Sequence, residues 1–225
     1  MKSEQEQLTE GMKDLGFEIT DEQTRSLIAY LEALDVTNRS FNLTRIPRSD
    51  YVTLHLLDSL TALLALPKDK PLKIIDVGTG AGFPGVPLAA LLPDARVTLL
   101  DSTLKKVKFV EFTAHECGIT NCVGVHSRAE TLATMPQHRN GYDVVISRAV
   151  AAFPKLMEWL LPLTKVGGIV VAMKGSGYEQ EVEGSDALVK RLGGTIERVV
   201  TTPLPGREIT RHLIVVRKER ASWQT

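Results

Sequence analysis

From residue 72 onward the chain alternates short apolar, β-branched runs with helical patterns, and this alternation constrains its fold more than any other feature. LKIIDV (72–77), RVTLLD (96–101), NCVGVH (121–126), YDVVIS (142–147) and GIVVAMK (168–174) read as strands. Helical patterns lie between them at 84–92, 103–117, 153–164 and 180–192. Near-continuously apolar strands separated by helices require a parallel sheet covered on both faces. After 192 the alternation stops. TIERVVTT (195–202) and ITRHLIVVRK (209–218) are separated only by PLPGRE, which is too short for a crossover helix. These two runs therefore pair antiparallel, as a hairpin at one sheet edge.

The first 66 residues read as a helical extension packed on a domain spanning 67–225. Leu8, Met12 and Leu15 repeat along one helix face, ending at Gly16. Thr20 and Gln23 have capping-box spacing, and Leu27, Ile28, Leu31 and Leu34 mark the face of the helix that follows. A third helix is expected over 50–66, with Leu54, Leu57, Leu60 and Leu64 on its inner face and Pro67 as its stop. The polar loop SFNLTRIP (40–47) precedes it, with Phe41 and Leu43 as its buried anchors.

Hydrophobic residues make up 43% of the 225 and charged residues 24%, which excludes a disordered chain. No apolar run approaches the roughly 18 residues needed to cross a bilayer, so no membrane association is expected. The polar, acidic start MKSEQEQLTE carries no secretory signal. Two cysteines cannot build a disulfide framework, and a reduced, cytoplasmic monomer is the expectation. The net charge of zero hides an asymmetry. Residues 1–35 hold 3 basic and 9 acidic side chains, whereas residues 190–220 hold 8 basic and 3 acidic. A basic end fits an anionic partner, nucleic acid above all; a solvated surface is the plainer reading.

The chemistry begins at IIDVGTGAGFPG, which ends one strand and opens a helix. Gly78, Gly80 and Gly82 permit positive φ and let a ligand approach the backbone. Asp101 ends the next strand, at the spacing of a carboxylate that accepts ribose hydroxyls. A GxGxxG pattern at Gly80, Gly82 and Gly85 would also suit a dinucleotide. A compact dehydrogenase, however, needs a tyrosine followed by lysine four residues on, and none of the four tyrosines has one. Asp76, inside the turn, would repel a pyrophosphate and favours a ligand with an ammonium group. S-adenosylmethionine carries an ammonium, a sulfonium and a ribose. A single sheet ending in an antiparallel hairpin is the α/β architecture of class I, Rossmann-like methyltransferases.

Several motifs resemble one family closely. NLT (42–44), HLLDSL (55–60), DVGTGAGFPGVPLA (76–89), LLDSTLKKVKF (99–109), ISRAV (146–150), MKG (173–175) and RHLIVVRK (211–218) are similar to those of the RsmG family, also called GidB. The resemblance implies a bacterial enzyme that methylates N7 of a guanine (position 527 type) in the 530 loop of 16S rRNA. The rRNA alone or a small-subunit ribosomal particle would be its partner. It also implies S-adenosylmethionine contacts at Gly78, Phe83, Ala129, Glu130 and Arg148.

The residues suit that chemistry. Guanine N7 carries a lone pair and no proton at neutral pH, so no general base is needed and catalysis is alignment and desolvation. After the fourth strand stands SRAV rather than the Asn/Asp-Pro-Pro-aromatic box of enzymes that methylate exocyclic amines. Arg148 is the expected positioning residue, and Phe83 and Phe153 are candidates for stacking on an extruded base. His115, Cys117, Cys122 and His126 have loosely metal-like spacing, but a buried cysteine as a small hydrophobe is the better reading and no metal is expected. Lys105, Lys106 and Lys108 could meet phosphate or the cofactor carboxylate, or simply be the solvated face of a helix. His55 and Asp58 are expected to lock their helix onto the sheet as a polar pair. Arg211 and Arg217, an even number apart, should share one sheet face and could meet rRNA phosphates. The alternative from another class is a non-catalytic module that binds S-adenosylmethionine or assists ribosome assembly.

Overall fold

The computed structural model describes residues 2–221. Two capped helices open the chain. In α1 (Glu4–Asp14) Ser3 and Glu6 form a capping box, and in α2 (Asp21–Phe41) Thr20 and Gln23 form another. Each box satisfies two backbone donors that a helix start otherwise leaves unpaired. Leu8 and Met12 of α1 and Leu27, Ile28, Leu31 and Leu34 of α2 are buried, as their spacing requires.

The third helix differs from its expected form. A 3₁₀ turn (Arg48–Asp50) leads into a π-helical turn (Val52–Leu57), a single α-turn α3 (Asp58–Leu60) and a second 3₁₀ turn (Thr61–Leu64). The segment is covered on nearly every side, so Leu56 and Leu63 are buried while Leu54 and Leu64 stay half-buried. A helix buried all round shows no single apolar stripe, which is why its irregularity left no periodic mark. Wide π turns occur often at functional sites, and this one carries His55 and ends beside Asp58. Phe41, expected inside, is 47% exposed at the end of α2.

The strands are β1 (Lys73–Val77), β2 (Arg96–Asp101), β3 (Cys122–His126), β4 (Tyr142–Arg148), β5 (Thr164–Lys174), β6 (Gly194–Pro203) and β7 (Thr210–Lys218). They form one sheet of order β3-β2-β1-β4-β5-β7-β6, parallel from β3 to β5. β7 runs antiparallel to both β5 and β6, so the terminal hairpin occupies the edge expected of it. The helices between strands are α4 (Gly85–Leu91), α5 (Leu104–Glu116), α6 (Ala129–Leu132), α7 (Phe153–Leu160), α8 (Tyr178–Val182) and α9 (Asp186–Arg191). The pattern read over 180–192 is split in two at Gly184, whose φ is +73°. The short α6 had no helical pattern to announce it.

Alternate residues of each strand feed two apolar layers. Ile74, Val97, Leu99, Val144, Ile146, Val171, Leu213 and Val215 face α4, α5 and the N-terminal helices. Ile75, Val77, Leu100, Val145, Val170, Ile214 and Val216 face Leu132, Leu156 and Val189 on the other side. The N-terminal helices therefore share a core with the sheet, and this brings α2 and the π turn beside the carboxyl ends of the strands. No helix of the described residues is long and apolar enough to cross a membrane.

Candidate active site

The parallel sheet reverses its winding direction between β1 and β4, and open α/β sheets bind ligands outside the carboxyl ends of their strands at such a point. A cleft of about 610 Å³ lies there, well within the size range of small-molecule sites. Gly78, Gly80, Phe83, Asp101, Ala129, Glu130 and Arg148 all line it. Asp76 and Gly82 do not line it.

The turn after β1 explains both. Gly78, Gly80 and Gly82 all have positive φ, at +76°, +62° and +97°. A Cβ on Gly80 would meet nothing nearer than the Gly78 carbonyl at 3.9 Å, so this glycine keeps the cleft floor open. A Cβ on Gly82 would instead strike the Tyr30 hydroxyl and reach 2.8 Å from Val86. Its bareness makes room for α2, because Tyr30 donates to the Ala81 carbonyl at 2.9 Å and meets the Phe83 ring edge-on. Asp76 lies beneath the turn, fully buried, and its Oδ2 accepts the Gly85 N–H at 2.8 Å. Burial pushes its carboxyl up to about 6, opposed by hydrogen bonding at the turn and by Arg148. Asp76 thus braces the start of α4 from beneath the turn through Oδ2, while its buried Oδ1 has no hydrogen-bond partner among the described residues.

Asp101 sits across the cleft. Its Oδ2 accepts the Gly80 N–H at 3.1 Å and its Oδ1 the Thr103 N–H at 2.8 Å. Lys106 approaches to 3.9 Å. The carboxylate so ties the glycine turn to the start of α5 while lining the cleft. Ala129 and the exposed Glu130 begin α6 at its far wall.

Arg148 ends β4 and anchors a buried charge cluster. It donates through Nη1 to the Leu54 carbonyl (3.0 Å) and to Asp58 Oδ2 (2.8 Å). Asp58 also accepts from Arg211 Nε at 2.6 Å, so one buried carboxylate holds two guanidinium groups. His55 points Nδ1 at Arg148 Nη2 (3.5 Å) and Nε2 at the Thr44 hydroxyl (3.0 Å). A guanidinium only donates, so Nδ1 accepts and the ring hydrogen sits on Nε2, donating to Thr44. Burial, aided by Arg148, lowers the His55 pKa to about 3, so the ring is neutral. Its face stacks on Phe83 at 4.2 Å between centroids. His55 and Asp58 are therefore not a pair with each other; both hold Arg148. The next residue, Ala149, has φ +54°, an uncommon conformation for a residue with a side chain. It turns the chain back so that Val150 covers Gly78, where a Cβ would lie 2.6 Å from Val150 Cγ2.

On the other side of residues 148–150 opens a second depression of about 860 Å³, which Asp58, Lys174 and Arg211 also line. Lys174 donates to the Ala151 carbonyl and to Glu181. The cleft thus has two lobes with Arg148 between them.

Other expectations fare less well. Phe153 is fully buried and Phe83 is 4% exposed, so neither presents an open ring for stacking. Arg211 and Arg217 do share a strand face, but Arg211 is held by Asp58 and Arg217 by Glu197 and the Gly167 carbonyl. Arg198 pairs with Glu197 and Arg207 with Asp50. Lys218 is buried, donating to the carbonyls of Leu161 and Leu192, and burial lowers its pKa to about 8. The basic hairpin is largely internal bracing. His115 bonds the Cys122 carbonyl and His126 the Ser102 carbonyl; among the described residues no group of three or more His, Cys, Asp or Glu is placed to hold a metal. Tyr30, Thr44, Lys106 and Trp159 belong to the site or its support; Thr44 lies in the NLT motif and Lys106 among the lysines after β2, whereas Tyr30 and Trp159 carry no signal in the sequence.

The GidB family model, described as rRNA small subunit methyltransferase G, matches residues 23–213. A ribosomal RNA small subunit methyltransferase G of Deinococcus radiodurans is 44% identical over 218 residues, covering 96% of this chain and 85% of its own. The protein of the same name from Acetivibrio thermocellus is 41% identical, covering 95% and 88%. Among solved structures, a SAM-dependent methyltransferase from Aquifex aeolicus superposes with a TM-score of 0.54 at 18% identity, over 74% of this chain and 92% of that one. M. jannaschii TYW2 in complex with AdoMet gives 0.53 at 14% identity, over 68% and 71%. At such identities the structural likeness speaks for the fold, that of class I methyltransferases.

Proposed function

Because the chain belongs to the GidB family of rRNA small subunit methyltransferases, we infer that it transfers the methyl group of S-adenosylmethionine to N7 of a guanine in the 530 loop of 16S rRNA. The observation that carries the reading is the cleft itself. An open glycine turn at Gly80, a carboxylate at Asp101 and the acidic rim residue Glu130 line one cavity at the strand ends. That set fits the cofactor: Asp101 would accept from the ribose hydroxyls, Gly80 would let the backbone come close, and Glu130 would accept from the adenine amino group. Ala129 and Phe83 supply apolar wall. When bound, S-adenosylmethionine supplies an electrophilic methyl on sulfur.

The protein's own part is positioning. Neutral guanine N7 has a lone pair and no hydrogen, so no side chain has to remove a proton there. His55, the one imidazole among the described residues that line the cleft, is uncharged and donates its ring hydrogen to Thr44, consistent with a supporting role. Arg148 stands between the lobes, and the lobe lined by Lys174 and Arg211 is where the guanine would enter. Arg148 can donate to the base O6 without occupying N7; a donor on N7 would tie up the attacking lone pair. The acting species is read as a monomer in the cytoplasm, working on rRNA or the small subunit with no membrane partner. The test is mapping of N7-methylguanosine in 16S rRNA from cells with and without the protein. One guanine in the 530 loop should lose the mark when the protein is missing and regain it when it is restored. An unchanged 16S methylation map would refute the reading.

A further inference from the structure

The cations of the terminal hairpin pair with carboxylates or carbonyls of the chain itself. We propose that the face shared by the end of α2 and the outer side of α5, next to the cofactor cleft, is a docking surface for single-stranded RNA. This rests on the proposed rRNA substrate and locates where the chain around the target base lies.

Two phenylalanines are exposed there, Phe112 at 68% and Phe41 at 47%. They line one depression of about 790 Å³ together with Lys105 and Lys108. Leu43 lines both this depression and the cleft, so the two are neighbours. Lys105 and Lys108 lie on the exposed side of α5, and Phe112 follows one turn after Lys108. Lys105 Nζ sits 3.3 Å from the centre of the Phe41 ring, which fixes ring and charge together. Exposed phenyl faces alternating with ammonium groups match what an unpaired strand offers. Bases stack on the rings and phosphates meet the lysines, with no sequence readout required. A purely apolar protein patch would not need the lysines, and a duplex would leave the rings unused. Of the acids at the depression, Glu111 is committed to the Gly124 N–H, and Glu116 lies on the last turn of α5, about two turns beyond Lys108.

The test uses the intact protein and a single-stranded RNA oligonucleotide of the 530-loop sequence, titrated by fluorescence anisotropy at several salt concentrations. Lys105→Glu with Lys108→Glu should weaken binding at least ten-fold and reduce the salt slope by about 1.4, since each single-strand phosphate that a lysine no longer neutralises lowers it by about 0.7. Phe112→Ala should weaken it about five-fold or more with the slope unchanged, since stacking releases no counterions. Calorimetric affinity for S-adenosylmethionine should stay at the wild-type value in every variant, which also shows that they fold. Wild-type RNA affinity and slope in the double-lysine variant would overturn the proposal. So would weakened binding to whole small subunits with oligonucleotide binding intact, because the face would then meet a ribosomal protein. RNA binding that depends on these residues in a protein that puts no methyl on 16S rRNA would leave the surface standing and remove the methyltransferase reading instead.

Discussion

At the scale of single residues, Asp58 and Asp101 carry the most consequence. Asp58 is buried and serves two guanidinium groups, so removing it strands both Arg148 and Arg211. Breaking a buried ion pair from one side costs about 3–5 kcal/mol, and Asp58→Ala should lower unfolding stability by that order in denaturant titrations. Arg148→Ala is milder for stability, because Asp58 keeps Arg211. It should nonetheless lower the single-turnover methylation rate about ten-fold or more, and a rate loss no larger than the stability loss explains would remove Arg148 from the reaction centre. Asp101→Ala should weaken S-adenosylmethionine about ten-fold or more by calorimetry, given charge-assisted hydrogen bonds worth roughly 1.5–3 kcal/mol. His55 supplies a pH test. Its folded pKa, near 3, lies below the ordinary 6.5, so the unfolded chain binds the extra proton between those values. Stability then falls as pH drops from 6.5 toward 3, with a slope of up to about 1.4 kcal/mol per pH unit. Asp76 acts oppositely between about 6 and 3.8, since its folded carboxyl takes the proton first. The comparison that isolates His55 is therefore wild type against His55→Gln, and the variant should lose less stability on acidification.

At the scale of elements, the glycine turn separates ligand space from packing space. Gly80→Val should abolish cofactor binding yet leave a folded protein, at a strain cost of about 1–2 kcal/mol for positive φ. Gly82→Val should cost clearly more stability than Gly80→Val, because it drives into Tyr30 and pries α2 off the turn. Thermal unfolding of the two variants side by side checks the ordering, and equal midpoints would contradict it. What was legible in the sequence follows the same division. Strand runs, capping boxes and the glycine turn are local signals, and they placed the seven strands of the described residues and the cleft residues Gly78, Gly80 and Asp101, whereas Phe83, Ala129, Glu130 and Arg148 came from the family resemblance. Asp76 was legible as part of the turn, but its place in the motif says nothing of which way its carboxylate points. Phe83 and Phe153 misled because a loop position does not guarantee exposure. Arg207 and Arg211 of the hairpin looked available because their partners Asp50 and Asp58 lie some 150 residues away in sequence.

At the scale of the whole molecule, the N-terminal helices are part of the site rather than an ornament on it. α2 supports the turn through Tyr30, and the π turn delivers His55, the Leu54 carbonyl and Asp58 to Arg148. The account that results is a scaffold that positions and desolvates two reactants and handles no proton at the attacking nitrogen. The most direct measurement is single-turnover transfer of labelled methyl from S-adenosylmethionine to unmethylated small subunits across a pH series. Label should appear as N7-methylguanosine at one 530-loop position, with a rate nearly flat between about pH 6.5 and 9 once RNA binding is saturated. Label at another atom, or a unit-slope rise in rate abolished by replacing one titratable side chain, would contradict it.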